Sequence, residues 1–173
     1  PNHNGHHFIN EMIGKGIHTF LVDKKEAIFE SDEITYIVVD NTLKAFQKLA
    51  AHHKSKFKNL QTIAIAGSNG KTIVKEWLYY LLKEHFSIVR SPRSYNSQIG
   101  VPLSVWQINN THNLGIFEAG ISQEGEMEAL EEIIQPQFGI LTNIGNAHDA
   151  GFKDAKHKLA EKSKLFTNCL TVV

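Results

Sequence analysis

From residue 60 onward, apolar and polar positions repeat in one order: a short apolar run, a polar stretch, then apolar positions at helical spacing. Thr62-Ile63-Ala64-Ile65-Ala66 is a continuous run of strand length, as expected for a strand covered on both faces. After it, Val74, Trp77, Leu78, Leu81 and Leu82 stand at i, i+3, i+4, i+7 and i+8. That spacing predicts a helix with one face in the core, and with it a buried Trp77. The series continues with a strand over 86–90, a helix over 101–108 and a strand over 114–118. A helix over 124–134 with Met127, Leu130 and Ile134 inward follows, then a strand over 138–142, a helix over 153–166 and a strand near Cys169. Strands alternating with helical crossovers predict an α/β fold, a parallel sheet with right-handed connections.

Residues 1–58 break this rhythm and are expected to form a separate small α/β unit, with 59–173 as the larger one. A short helix over 8–13 stops at Gly14 and Gly16, and strands are expected over 17–22 and 34–39. Asp40 or Asn41 can cap a helix whose apolar positions are Leu43, Phe46, Leu49 and Ala50, running to about Lys54. Residues 55–59 are polar and read as a linker. His3, His6 and His7 have no acid or cysteine at ligand spacing beside them, so they read as an ordinary loop.

The chemistry collects between the first strand and helix of the larger unit, at Gly67-Ser68-Asn69-Gly70-Lys71-Thr72. Two glycines let backbone N–H groups turn onto a phosphate, the helix start adds its positive dipole end, and Lys71 adds a full charge. Thr72 is placed to hold magnesium. The spelling is the short Gly-x-x-Gly-Lys-Thr form of a P-loop, and its setting between an apolar strand and an amphipathic helix is what gives it weight.

Such an anion must be gripped locally, because Lys plus Arg equals Asp plus Glu at 18 each. That balance creates no field for nucleic acid or an anionic membrane. No apolar run nears the roughly 20 residues of a membrane span, and one cysteine, Cys169, fits a reducing cytoplasm. A start at Pro1 and an apolar end at Leu170-Thr171-Val172-Val173 suggest a piece of a longer protein.

In an open parallel sheet, ligands sit beyond the carboxyl ends of the strands. Those ends carry the phosphate loop, then Glu118, then Thr142-Asn143-Ile144-Gly145-Asn146-Ala147-His148. Glu118 there faces the phosphates and suits an oxygen-seeking magnesium ion. The long polar stretch 91–100 is a further candidate loop. On the last helix, Ala155, Leu159, Leu165 and Phe166 mark an apolar arc that also contains Lys158 and Lys162. Lys158 is expected to snorkel at its edge, whereas Lys162 is expected to point into the crevice.

The phosphate loop, Tyr95-Asn96-Ser97-Gln98-Ile99-Gly100-Val101-Pro102-Leu103, Glu118-Ala119-Gly120 with Gly125-Glu126-Met127, and Thr142-Asn143-Ile144-Gly145 with Ala147-His148 together resemble the Mur ligases of peptidoglycan synthesis. The resemblance covers nearly the whole chain and points to the type that adds D-alanyl-D-alanine to UDP-N-acetylmuramoyl-tripeptide. It implies part of a small UDP-sugar-binding domain ahead of an incomplete ATP-binding central domain. It assigns Ala66, Gly67, Ser68, Asn69, Gly70, Lys71 and Thr72, with Asn143, to ATP. Thr72 and Glu118 would hold one magnesium, and His148 with a carbamylated Lys162 a second. Asn96 and Ser97 would face the substrate; the family often has two asparagines there. The implied reaction is amide ligation through an acyl phosphate, in a cytoplasmic monomer without nucleic-acid or membrane partners. Some bacterial proteins of this kind are fused to an alanine racemase. Another Mur ligase, a folylpolyglutamate synthase, a P-loop NTPase of a different class and a non-catalytic binding module are the alternatives.

Overall fold

The structure is a computed structural model that describes residues 4–23, 32–145 and 151–173. It divides into two compact units, Pro1–Phe46 and Gln47–Val173. Among the described residues no helix is long and apolar enough to cross a membrane.

In the first unit a 3-10 turn, Gly5–Phe8, leads into α1 (Ile9–Ile13), and Gly16 ends the following turn at φ 82°. β1 (Thr19–Val22) then pairs in parallel with β2 (Thr35–Val38). Both strands fall inside their expected ranges. The Asn4 side chain caps the opening turn by accepting from the His6 backbone N–H. The His6 ring faces Asp23 at 3.3 Å, an acid that the fold and not the sequence spacing brings beside it.

α2 (Thr42–Ser55) is capped by Asn41, whose Oδ1 accepts from Lys44 N at 2.8 Å. The division between units falls inside this helix, upstream of the expected 58/59 boundary. The reason lies in its second half, which belongs to the larger core. Ala50 is fully buried there, His53 Nε2 donates to Ile108 O at 2.9 Å, and Lys54 Nζ donates to Gln135 O at 3.4 Å. Its buried positions are Gln47, Ala50 and Lys54, while Leu43 and Leu49 are exposed, contrary to the apolar arc expected from sequence.

The larger unit is a five-stranded, all-parallel sheet in the order β4-β5-β3-β6-β7. Its strands are β3 (Gln61–Ala66), β4 (Ile88–Arg90), β5 (Leu114–Glu118), β6 (Phe138–Leu141) and β7 (Thr171–Val172). β3 lies between β5 and β6, with Ile63 opposite both Ile116 and Phe138. The loop after the central strand therefore has strand ends on either side.

α3 (Lys71–Leu82) covers one face, setting Val74, Leu78 and Leu82 against Ile65, Leu114 and Ile116. The other face carries the larger cluster, where α4 (Gly100–Val105) and α5 (Glu126–Ile134) bring Val101, Val105, Met127, Leu130, Ile133 and Ile134 onto Ala64, Ala66 and Phe117. α6 (Ala155–Ser163) runs into a 3-10 turn whose Leu165 and Phe166 complete that cluster. Trp77, at 66 % exposure, is a correction to the sequence reading, as is Leu81. Lys75 takes the place in the sheet-facing surface of α3 that the apolar spacing gave to Trp77.

Gly139 of β6 is covered by the Phe166 ring; a Cβ there would lie 2.4 Å from Phe166 Cδ1. Gly139→Ala is therefore expected to destabilise the larger unit by about 1–3 kcal/mol through overpacking. A fall in the urea unfolding midpoint at unchanged slope would show it, and an unchanged midpoint would contradict this packing.

Candidate nucleotide-phosphate site

The loop after β3 turns at two glycines that only glycine tolerates easily: Gly67 at φ 137° and Gly70 at φ 82°. It is docked on the strand end beside it. Ser68 N donates to Asn143 O at 2.9 Å, Asn69 N to Asn143 Oδ1 at 3.0 Å, and Thr142 Oγ1 to Asn69 O at 2.6 Å. Ser68 Oγ and the Gly145 backbone close a further pair of bonds, at 3.1 and 3.0 Å. Asn143 thus stands behind the loop and takes up the Asn69 N–H in this arrangement. Ala66, the last residue of β3, is buried and accepts from Thr142 N at 3.0 Å.

Among the described residues, two ammonium groups converge on this loop and a third reaches the 142–145 segment docked behind it. Lys71, the first residue of α3, folds back so that Nζ donates to Gly67 O at 2.8 Å and Ser68 O at 3.3 Å. Lys162 reaches in from α6 and donates to Gly67 O at 3.2 Å, with its side chain buried. Lys158, one turn earlier, donates to Gly145 O at 2.6 Å and is also buried. The expected snorkelling of Lys158 is corrected by this bond, and Leu159, expected inward, is exposed. α6 turns amines and not aliphatic carbons toward the loop because their acceptors, the loop carbonyls, lie there.

Burial, and then the charges of Lys71 and Lys158, bring the Lys162 amine down to about 8 from its ordinary value. Burial also lowers Lys71, partly opposed by Glu118. The group of cations is favourable for a bound anion and unfavourable without one.

Glu118, at the end of β5, is fully buried between two residues of α3. Its Oε2 accepts from Thr72 Oγ1 at 3.1 Å, and its Oε1 lies 3.0 Å from Lys75 Nζ. Among the described residues that Oε1 finds no hydrogen-bond donor even so, because nearness of opposite charge does not guarantee bonding geometry. The Thr72 hydroxyl and a carboxylate oxygen left without a hydrogen bond are hard oxygen donors, and this set fits magnesium. Thr72 Oγ1 also lies 3.3 Å from Ser94 Oγ. Lys162 as an ammonium offers no lone pair to a metal, so a ligand role there requires its modification. His148, expected at a second metal, lies outside the described residues.

Two cavities meet at this point. One, of about 320 Å³, is lined by 68–73 with Ser94 and Asn96. The other, of about 160 Å³, is lined by Lys71, Asn96, Ser97, Gly120, Ile121, Ser122, Glu126 and Lys162. Lys71 and Asn96 belong to both. The structure therefore brings together Lys71, Lys162, Asn96 and Ser97 around one cavity, and Thr72 with Glu118 beside the other.

Lys75, Ser91 and Ser94 were not singled out from sequence. For Lys75 a signal existed: it lies beside Val74, Leu78 and Leu82 on the wheel of α3, so it stands at the edge of an apolar arc as Lys158 was expected to.

A glycine loop between a central parallel strand and a helix, with a lysine, a threonine and a strand-end carboxylate, defines a P-loop-type nucleotide-binding domain. The chain belongs to the Mur ligase family: the family described as Mur ligase middle domain matches residues 65–172. It is 36% identical over 168 residues to a UDP-N-acetylmuramoyl-tripeptide--D-alanyl-D-alanine ligase of Treponema pallidum (strain Nichols), covering 92% of this chain and 36% of that protein. A protein of the same description from Borreliella burgdorferi is 33% identical over 169 residues, with 93% and 36% covered. Among solved structures, MurF from Acinetobacter baumannii superposes with a TM-score of 0.89 at 27% identity, over 97% of this chain and 36% of that one. MurF ligase from Thermotoga maritima in complex with ADP gives 0.85 at 28% identity, over 96% and 38%. The chain spans about a third of the length of the relatives it matches.

A Cβ on Gly67 would lie 2.0 Å from Thr142 Oγ1, in a backbone conformation that side chains rarely adopt. Gly67→Ala is expected to lift the loop from its seat and weaken nucleotide binding by about ten-fold or more, roughly 1.4 kcal/mol. Titration calorimetry with ATP reads this directly, and unchanged affinity would contradict the docked loop as the binding form.

Proposed function

We propose that this chain is the ATP-binding part, with a portion of the UDP-sugar-binding part, of a cytoplasmic ligase that joins D-alanyl-D-alanine to UDP-N-acetylmuramoyl-tripeptide. The observation that carries the reading is the shared wall of the two cavities. Lys71 and Asn96 border both, so one ammonium can face the terminal phosphate on one side and a substrate carboxylate on the other. The names of the relatives support the choice of substrates, and the ADP complex of the Thermotoga protein supports the nucleotide.

In this reading the loop N–H groups and Lys71 orient the ATP phosphates, and Lys71 offsets the charge that builds on the transferring phosphoryl group. Thr72 and Glu118 would hold a magnesium ion, which would supply charge neutralisation for the phosphates. Asn96 and Ser97 orient the carboxylate that attacks the γ-phosphorus. The acyl phosphate so formed loses its phosphate when the amine of the dipeptide attacks the acyl carbon.

Lys162 completes the site as a carbamate. Its neutral amine nitrogen attacks the carbon of CO2, one N–C bond forms, and one proton leaves to water. The product is an anion that is no longer repelled by Lys71 and Lys158 and can ligate a second metal together with His148. The lowered basicity of Lys162 favours this step, because more of the amine is neutral near physiological pH.

A P-loop NTPase of another class would hydrolyse ATP alone. Phosphate release that requires both the UDP-sugar tripeptide and the dipeptide supports the ligase; release independent of both would overturn it. Lys71→Ala in the intact protein is expected to lower turnover by about 100-fold or more, as for loss of one stabilising charge, with circular dichroism unchanged. Near-normal turnover would remove Lys71 from the phosphate site.

At fixed dissolved CO2, the initial rate of uptake into the Lys162 carbamate, read by NMR with labelled bicarbonate, should rise with pH and level off above about 8. The sign follows from the amine being reactive only when deprotonated. Lys162→Ala should lose most activity and regain part of it with acetate. Lys158→Ala, which loses the bond to Gly145 O, should be impaired without rescue, and exposed Lys156→Ala should be unaffected. A carbamate signal that persists in Lys162→Ala would contradict the assignment.

A further inference from the structure

Lys75 is the largest fully buried side chain of the larger unit that the proposed mechanism leaves without a role. Burying a lysine is costly unless its charge and all three donors are used. Here the charge faces one structure, the Glu118 carboxylate, while two donors are used on another, the 91–93 backbone. Nζ lies 3.0 Å from Glu118 Oε1, and it donates to Ser91 O at 2.8 Å and to Arg93 O. Glu76, the next residue, stands 3.2 Å away and is itself tied to Arg90 at 3.1 Å.

These contacts join the two walls of the site. Thr72 and Lys75 are neighbours on α3, three residues apart, and grip the two oxygens of one carboxylate. The carbonyls of Ser91 and Arg93 open the loop that carries Ser94 toward Thr72 and Asn96 and Ser97 into the second cavity. Arg93 has φ 49°, so the chain turns there against its ordinary preference. The far end of the loop is held separately, by Gly120 N donating to Asn96 O at 2.8 Å. Ser91 Oγ in turn accepts from the Glu118 backbone N–H at 3.1 Å.

We infer that Lys75 is a positioning residue that aims the Glu118 carboxylate at the Thr72 metal site and, through Ser91 and Arg93, fixes the 91–97 loop that presents Ser94, Asn96 and Ser97. This rests on the reading of Thr72 and Glu118 as magnesium ligands. It makes Lys75 act through other groups, with no contact of its own to substrate. Without Lys75, the Glu118 carboxylate would lose its neighbouring cation and the loop its first two anchors.

The test uses Lys75→Met, which keeps length and helix preference, and Lys75→Gln, which keeps a donor without charge, each in the intact protein. Two readouts are taken: the magnesium concentration that half-saturates the gain in ATP affinity, and the rate of tryptic cleavage after Arg93. In Lys75→Met the half-saturating magnesium should rise about ten-fold or more while metal-free ATP affinity, set by the loop and Lys71, stays within about two-fold. Cleavage after Arg93 should quicken, and Lys75→Gln should lie between wild type and Lys75→Met on both readouts. Should Lys75→Met not fold, Lys75→Gln alone carries the same two readouts.

Adding Lys75→Met to Glu118→Gln should raise the magnesium requirement no further, because the effect runs through that carboxylate. An unchanged magnesium requirement in both variants, or an equal loss of metal-free and metal-dependent binding, would overturn the positioning role. Were wild type itself to bind ATP with no help from magnesium, the metal reading of Thr72 and Glu118 would fall, and the inference with it.

Discussion

The carbonyl of Gly67 accepts from two ammonium groups, Lys71 at 2.8 Å and Lys162 at 3.2 Å, and the arrangement of the site depends on that one oxygen. Gly67 can turn it outward because it has no Cβ to meet Thr142, and the turn holds because Thr142 and Asn143 hold the loop from behind. Two cations on one neutral acceptor, with Lys158 close by at Gly145, leave a local excess of positive charge in a chain whose total charge balances. An anion at the loop relieves the repulsion between the amines, so the site is organised for phosphate before any phosphate arrives.

The parallel sheet sets this up by geometry. Placing β3 between β5 and β6 puts the glycine loop, Glu118 and Thr142-Asn143 at adjacent strand ends, and α3 then carries Thr72 and Lys75 back across Glu118. The polar residues of the site are buried far beyond what their types usually permit: Lys75, Glu118, Lys158 and Lys162 are all closed off from solvent. Each is held by ion pairing or by a backbone carbonyl, with Glu118 Oε1 facing the Lys75 charge without accepting a hydrogen bond among the described residues.

Much of this was legible in the chain. Continuous apolar strands and helical spacing gave the order of the larger unit to within a few residues, and the loop spelling located the site, since both are local signals. What escaped depends on which face of a helix meets which neighbour. Trp77 and Leu81 fit the period of α3 yet face outward, because the sheet-facing surface is shared with the Lys75 that Glu118 and the Ser91 and Arg93 carbonyls require. Lys158 escaped for the same reason: its acceptor, Gly145 O, is brought beside it only by the fold. In α2, buried Gln47 and Lys54 find polar partners in Gln98 and Gln135 that no spacing rule displays.

In the proposed ligation, a carboxylate beside Lys71 receives the terminal phosphoryl group of the nucleotide held by the loop. That transfer is tested most directly by following oxygen. UDP-N-acetylmuramoyl-tripeptide labelled with oxygen-18 in its terminal carboxylate is given to the intact protein with ATP, magnesium and D-alanyl-D-alanine, and the released phosphate is examined by mass spectrometry. An acyl phosphate requires one labelled oxygen in each phosphate released, since the oxygen that attacked phosphorus leaves with it. Phosphate carrying no label, with its fourth oxygen drawn from water, would mean that the loop serves hydrolysis and that the adjoining cavity holds no phosphoryl acceptor.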